Sequence, residues 1–184
     1  VRRLLRLAPS VVGLPVAQAV LVLPATPPLS DPTFVFLSLL SFAAVVLATW
    51  LLVTAIAAGL DRDRWRLGLR SLLWTLGLGL ILIACAVVNP LIALPALVLA
   101  AFILPATATG YPVVAGLRAF RHHPWRTALV ATGCLALAVL AWVVALVTGL
   151  FVTGALGALL CWLAFTLAGA LALNGTSSLL RRAV

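Results

Sequence analysis

GLRAFRHHPWR, residues 116–126, is the longest polar interruption in the second half of the chain. It holds both histidines, three of the twelve arginines and Trp125, and long apolar segments run away from it on either side. Cations and tryptophan side by side suit the lipid headgroup region, where an indole sits half in hydrocarbon and a guanidinium faces water and phosphate. The stretch reads as a cytoplasmic loop of a polytopic membrane protein, and the remaining sequence can be parsed outward from it.

Composition supports that reading. Hydrophobic residues make up 65% of the chain and charged residues 8%, with a mean hydropathy of +1.30. A water-soluble domain of this length could not cover its core with so little polar surface. The net charge of +9 comes from arginine alone, set against Asp31, Asp61 and Asp63. There is no lysine, glutamate or methionine, and arginine without lysine amid so much Ala, Leu, Val and Gly points to a GC-rich bacterial genome. The cations lie in short segments between apolar runs, not on a continuous basic face, which excludes nucleic acid as a partner.

About 20 apolar residues are needed to cross a bilayer. Outward from the loop, the sequence divides into six spans at about 4–23, 34–60, 70–88, 91–109, 127–147 and 151–173. The first follows Arg2, Arg3 and Arg6 and contains Pro9 and Pro15, which predict a kink. RRLLRL also resembles a twin-arginine start, with Ala17-Gln18-Ala19 as a cleavage site. The apolar run continues past it to Leu23, so the segment reads as a retained span. PATPPLSDP (24–32) forms a proline-rich outer loop. DRDRWRLGLR (61–70) forms a basic inner one, and the third span begins within it. Asn89-Pro90 predicts a tight reversal, Thr148 to Gly154 a short uncharged turn, and Asn174-Gly175 the end of the last span. Pro95 and Pro105 punctuate the fourth span and Pro112 follows it. These three are candidate hinge residues, bending one helix or separating two short ones.

The arginines test this division. In order along the chain, the inner segments carry three, four, three and two of them, all twelve, and the outer loops carry none. Arginine resists translocation, and one missed or invented helix would scatter arginines on both sides. The fold expected is therefore an all-α polytopic transmembrane helical bundle in a bacterial inner membrane, with six spans, both termini cytoplasmic and a single transmembrane domain over 1–184.

Chemistry is sparse. Apart from Arg6 and Arg70 at their inner edges, the spans hold no Asp, Glu, Lys, Arg or His, the groups that mark proton relays and ion-coupled transport. Gln18, Ser38, Ser41, Thr49, Thr54, Thr75 and Thr132 are polar positions inside spans, and their hydroxyls are expected to bond carbonyls of the preceding turn. Cys85, Cys134 and Cys161 are isolated, without metal or redox spacing. Asp61 and Asp63 lie among Arg62, Arg64 and Arg66, so local ion pairing is their expected fate. No HExxH, GxSxG or glycine-rich phosphate loop is present. Adjacent His122 and His123 point to different faces of a helix and chelate poorly. The expectation is no catalytic residue, no metal, no cofactor and no enzymatic activity.

Three other groups are candidates for function. Arg62, Arg64, Arg66 and Arg70, with Arg118, Arg121 and Arg126, could contact anionic lipid headgroups, since guanidinium pairs phosphate bidentately. Ala141, Ala145 and Gly149 in the fifth span recur every fourth residue, with Cys134 and Ala138 on a neighbouring row. Ala164, Ala168 and Ala172 do the same in the sixth, and such rows let helices approach closely. They predict a tight hairpin, or contact with a membrane partner or a second copy of the chain. Trp65-Arg66 and Trp125-Arg126 echo each other at two inner interfaces, as headgroup anchors do.

LPATATGYPVVAGLRAFRHHPWR, from Leu104 to Arg126, resembles YesL-like bacterial integral membrane proteins. Leu104-Pro105 and Thr109-Gly110 match a span ending in a Leu-Pro…Thr-x-Gly stretch. Pro124 and Arg126 suit the basic loop that precedes an apolar hairpin, and the likeness covers residues 100–182. It implies a compact helical protein serving as an accessory component of a transport system, such as sugar uptake, with no catalytic residue to carry over. The alternative is a small facilitator for a small molecule or lipid, with the proline-broken fourth span as its moving part. A polar cavity beside Pro95 and Pro105 would favour the facilitator, and a flat small-residue face without a cavity the accessory role.

Overall fold

Three helices begin on proline, and two of those carry a side-chain cap in front of it. Asp31 precedes Pro32: its carboxylate accepts the Thr33 amide at 2.9 Å, and its carbonyl accepts the Phe34 amide at 2.9 Å. Asn89 precedes Pro90 and accepts the Leu91 amide at 2.9 Å. Proline suits a first helical position because its missing N–H would have no partner there, and Asp and Asn satisfy the free donors that follow. Pro124 opens a third helix.

The computed structural model describes residues 2–22, 31–57, 65–122, 124–152 and 154–183. Among them the chain is all-helical: α1 Arg2–Val22, α2 Pro32–Ala57, α3 Trp65–Val88, α4 Pro90–Ala108, α5 Val113–His122, α6 Pro124–Phe151 and α7 Gly154–Ala183. Five stretches are long and apolar enough to cross a membrane: Pro32–Ile56, Gly68–Val88, Leu91–Ala108, Pro124–Phe151 and Gly154–Leu180. They mark the chain as a multi-pass membrane protein. In α1 the apolar part is shorter, Val11–Val22.

Side-chain contacts set the register of the hairpins. Gln18 of α1 pairs with Ser41 of α2. Trp50 of α2 reaches Gly68 and Ser71 of α3, and further along the same pair Gly79 lies against Phe42 and Val46. The partner number on α3 rises as that on α2 falls, so the two helices are antiparallel. Gly175 of α7 faces Val130 of α6. The two hubs are α4 and α7, each packed against five other helices, whereas α1 touches neither α3 nor α4. Between Ala100 and Ala108 nearly every side chain of α4 is buried, including Phe102 and Ala106. Elsewhere large apolar side chains face outward, with Val87 and Phe151 each 81% exposed, as lipid contact requires. The core cluster of Leu52, Val53, Leu104, Ala108 and Leu173, with Val11 and Ile56 against it, joins the ends of α2 and α4 to α7 and α1.

Two expectations change, and the choice left open for the fourth span is decided. Residues 116–126 are not a loop: α5 runs to His122 and α6 starts at Pro124. In α5, Val113, Leu117 and Phe120 share one face by helical spacing and Arg118 and His122 the other. The Phe120 ring sits 4.9 Å from that of Phe102, which folds α5 back along α4. Gly110, at φ 82°, makes the reversal in a conformation other residues resist. Asn174-Gly175 does not end the last helix, which continues to Ala183. Hydroxyls of Thr176 and Ser177 bond carbonyls of the preceding turn, and buried Leu179 and Leu180 tie the following turn to the bundle. That burial outweighs the breaker dipeptide. Finally, α4 is one continuous helix through Pro95 and Pro105, not two short ones.

Two outcomes follow. A Cβ at Gly157 would collide with the Val152 carbonyl, whereas one at Gly133 meets open space. Gly157→Ala should therefore lower stability by about 1–3 kcal/mol, while Gly133→Ala should raise it by roughly 0.5–1 kcal/mol, both read from unfolding in mixed micelles. Donation chiefly from the Thr33 amide, and also from its side chain, holds the Asp31 carboxyl below its ordinary range. Its contribution is complete above the ordinary carboxylate value and is lost as pH falls through the lowered one. Asp31→Asn, which still caps the helix, should flatten the pH dependence of unfolding below about pH 4.

Candidate functional site

The helices that do not touch leave space between them. A cavity of about 720 Å³ lies between α1 and α7 on one side and α3 and α4 on the other, with α2 as a further wall. Its lining runs along α2 from Phe34 to Leu52, about 27 Å of helix and close to the depth of a hydrocarbon core. At one end stand Leu52, Leu104 and Leu173, members of the core cluster. Toward the other it reaches Val22, the last residue of α1, and Phe34 in the first turn of α2.

The walls are apolar, and no ionisable side chain is among the described residues that line them. Gln18, only 3% exposed, is the polar exception of most consequence. Its amide donates to the Ser41 carbonyl at 3.1 Å and accepts the Ser41 hydroxyl at 2.8 Å, which clamps α1 to α2 through both groups of one serine. Thr75 and Thr166 also line the cavity. Thr75 donates to the Ser71 carbonyl at 2.8 Å. Thr166 donates to Trp162 in its own helix at 2.9 Å and reaches the Val11 carbonyl at 3.2 Å, tying α7 to α1. A second polar clamp lies outside the cavity: Trp50 donates to the Gly68 carbonyl and the Ser71 hydroxyl at 2.9 and 3.0 Å. No buried polar side-chain atom among the described residues lacks a partner.

Of the residues singled out from sequence, Arg70, Arg118, Arg121 and Arg126 are exposed. Arg66 stands in the first turn of α3, and Arg62 and Arg64 lie outside the described residues. The basic segments flank the helix ends that the core cluster joins, the N-terminal part of α1 and the C-terminal ends of α2, α4 and α7. Pro95 is exposed and Pro105 buried. They bracket the four α4 residues on the cavity wall, Leu97, Ala100, Ala101 and Leu104, while Pro112 precedes α5. Among the small residues, Ala141 is buried, Ala145 half-buried and Gly149 exposed with open space beside it. The buried row of α6 is instead Thr127, Cys134 and Ala141, at seven-residue spacing. On α7, Ala164 and Ala168 are half-buried, and Ala172 lines the cavity. His122 is exposed and His123 lies outside the described residues. Among the described residues, no three or more metal-ligating side chains converge.

Of the polar span positions named from sequence, Thr54 and Thr75 bond carbonyls of the preceding turn as expected, whereas Ser41 donates to Gln18 instead, and the cavity was not foreseen. The one available signal was chemical, since Gln18 is the sole glutamine of the chain and sits in an apolar run. Among known proteins, no family model matches the chain, and neither a curated protein nor a solved structure does.

A double-mutant cycle on Gln18→Leu and Ser41→Ala should return a coupling of about 0.6–1.7 kcal/mol, the range for hydrogen bonds between helices in lipid. It would be read from reversible unfolding in a bilayer mimetic.

Proposed function

We propose that this protein is a non-enzymatic, six-span component of a bacterial inner membrane that holds a lipid-like molecule between its helices, as a small facilitator would. The observation that carries this reading is the cavity: apolar, close to a hydrocarbon core in length, and walled by α4 between two prolines. Water would gain little in such a space, whereas hydrocarbon fills it at no polar cost. The polar passage a hydrophilic solute needs is not what these walls supply. Lack of ionisable groups on the walls also argues against coupling to a proton or sodium gradient.

The six-span reading takes α1 as the first crossing. Its length of 21 residues supports this, as do its packing along α2 and α7 and the gathering of the basic segments toward one end. With that end cytoplasmic, both termini are cytoplasmic and the exposed Arg70, Arg118, Arg121 and Arg126 meet anionic headgroups. An accessory role beside a transporter, as the YesL-like resemblance implies, draws support from the open flank of α6. There Gly133 and Gly149 face open space and Leu150 is 77% exposed.

The test is purification into nanodiscs followed by native mass spectrometry. Gly169 lines the cavity and a Cβ there meets nothing within 4 Å, so Gly169→Phe places a ring on that wall. Wild type should carry a tightly held lipid that Gly169→Phe loses by about tenfold. Equal lipid on both proteins would remove the cavity from the mechanism, and a stoichiometric protein partner would favour the accessory role. In whole cells, Thr26→Cys should label from outside and Arg62→Cys only after permeabilisation, and the reverse would overturn the orientation.

A further inference from the structure

Resting on the cavity reading above, we infer that the occupant is a neutral amphiphile whose hydroxyl or carbonyl head is held by the Gln18 carboxamide, with its tail lying toward Leu52, Leu104 and Leu173. Gln18 combines three properties: it is almost fully buried, it faces the cavity, and its hydrogen-bonding capacity is not exhausted. A carboxamide has two N–H donors and two oxygen lone pairs. Among the described residues, Gln18 commits one of each to Ser41. One donor and one acceptor remain, on a group whose position that pair of bonds fixes. Such an arrangement recognises a head that both donates and accepts, as an alcohol does, or one that only accepts, as an ester or ketone does.

Of the other hydroxyls on the walls, those of Thr75 and Thr166 are less available because they already donate their single protons to carbonyls, while Ser38 and Thr49 add two hydroxyls on α2. Charge is excluded on energetic grounds. A phosphate or carboxylate drawn between these helices would lose its hydration and find no cation among the lining residues. The exposed arginines compete for anionic heads from outside the cavity, so the two lipid classes are sorted between two places. Geometry suits a tail as well. Ser41 and Leu52 are eleven residues apart on α2, about 16 Å of helix, and the wall between them includes Val45, Ala48 and Thr49 with no charged group.

The experiment uses the full chain in phosphatidylcholine nanodiscs doped with either dioleoylglycerol or dioleoyl phosphatidate, whose acyl chains are identical. Native mass spectrometry counts the molecules retained. Lipid that survives Gly169→Phe is scored as bound to the surface, and lipid that it removes as bound in the cavity. The expected result is cavity retention of the diacylglycerol but not of the phosphatidate. Gln18→Met should cut that retention about tenfold, while Gly133→Ala, on α6 and away from the cavity wall, keeps it. Cavity retention of both probes, indifferent to Gln18→Met, overturns the anchor but leaves the cavity reading standing. Retention of neither in the cavity overturns both. Should Gln18→Met not fold, the comparison of the two heads on the wild-type protein still decides.

Discussion

Close packing at one end of the bundle governs the rest. Leu52 and Val53 of α2 meet Leu104 and Ala108 of α4 and Leu173 of α7, and Val11 of α1 closes against them. In lipid this contact draws no help from water exclusion and depends on dispersion between well-fitted surfaces. The sequence supplies the fit on α4, where Ala100, Ala101, Ala106 and Ala108 are small enough to let neighbouring helices approach. Beyond this cluster α1 keeps apart from α3 and α4, and the cavity is the space their divergence leaves. A bundle equally tight along its whole length would have no site.

The polar groups inside the helices follow a second constraint. A donor in hydrocarbon must find an acceptor, and the nearest are carbonyls of its own preceding turn. Thr54, Thr75, Thr107, Thr148 and Thr176 take that route. Such bonds neutralise the hydroxyl and hold no second helix. Gln18 and Trp50 differ because their donors sit too far from their own backbone and must reach across. Each reaches a neighbouring hairpin arm, α1 to α2 and α2 to α3. The two side chains therefore fix the register of the first three helices.

Local rules account for what could be read from sequence. Proline at a helix start, a cap before it and long apolar runs are properties of neighbouring residues, so Asn89-Pro90 and the lengths of α2 and α4 were legible, whereas α6 runs from Pro124 to Phe151, past the expected 127–147 and into the expected turn. Where a distant segment decides, the same rules failed. Asn174-Gly175 is a local stop signal, overruled by burial of Leu179 and Leu180. Residues 116–126 are polar enough to suggest a loop, yet Phe120 stacking on Phe102 gives them a helix to lie along. Ala172 belongs to a row of alanines that suggested helix contact, and it lines the cavity instead. Hydropathy cannot separate those outcomes, because a wall facing another helix, a lipid or a cavity is apolar in every case.

Pro105 connects the cluster to the cavity. It is buried, it lies next to Leu104, and it has no N–H to offer the Ala101 carbonyl one turn earlier. The intrahelical bond that α4 forgoes there thus falls where the cavity wall meets the closed end. A helix bends at least cost where a bond is already missing. Thr109 compensates on the far side: its backbone amide and its hydroxyl both donate to the Pro105 carbonyl, at 3.1 and 2.9 Å. The last turn of α4 is consequently held firm while the turn before it is loosened. The bond forgone at Pro105 therefore lies at the level of Ala101 and Leu104, between the last turn of α4 and the wall that borders the cavity.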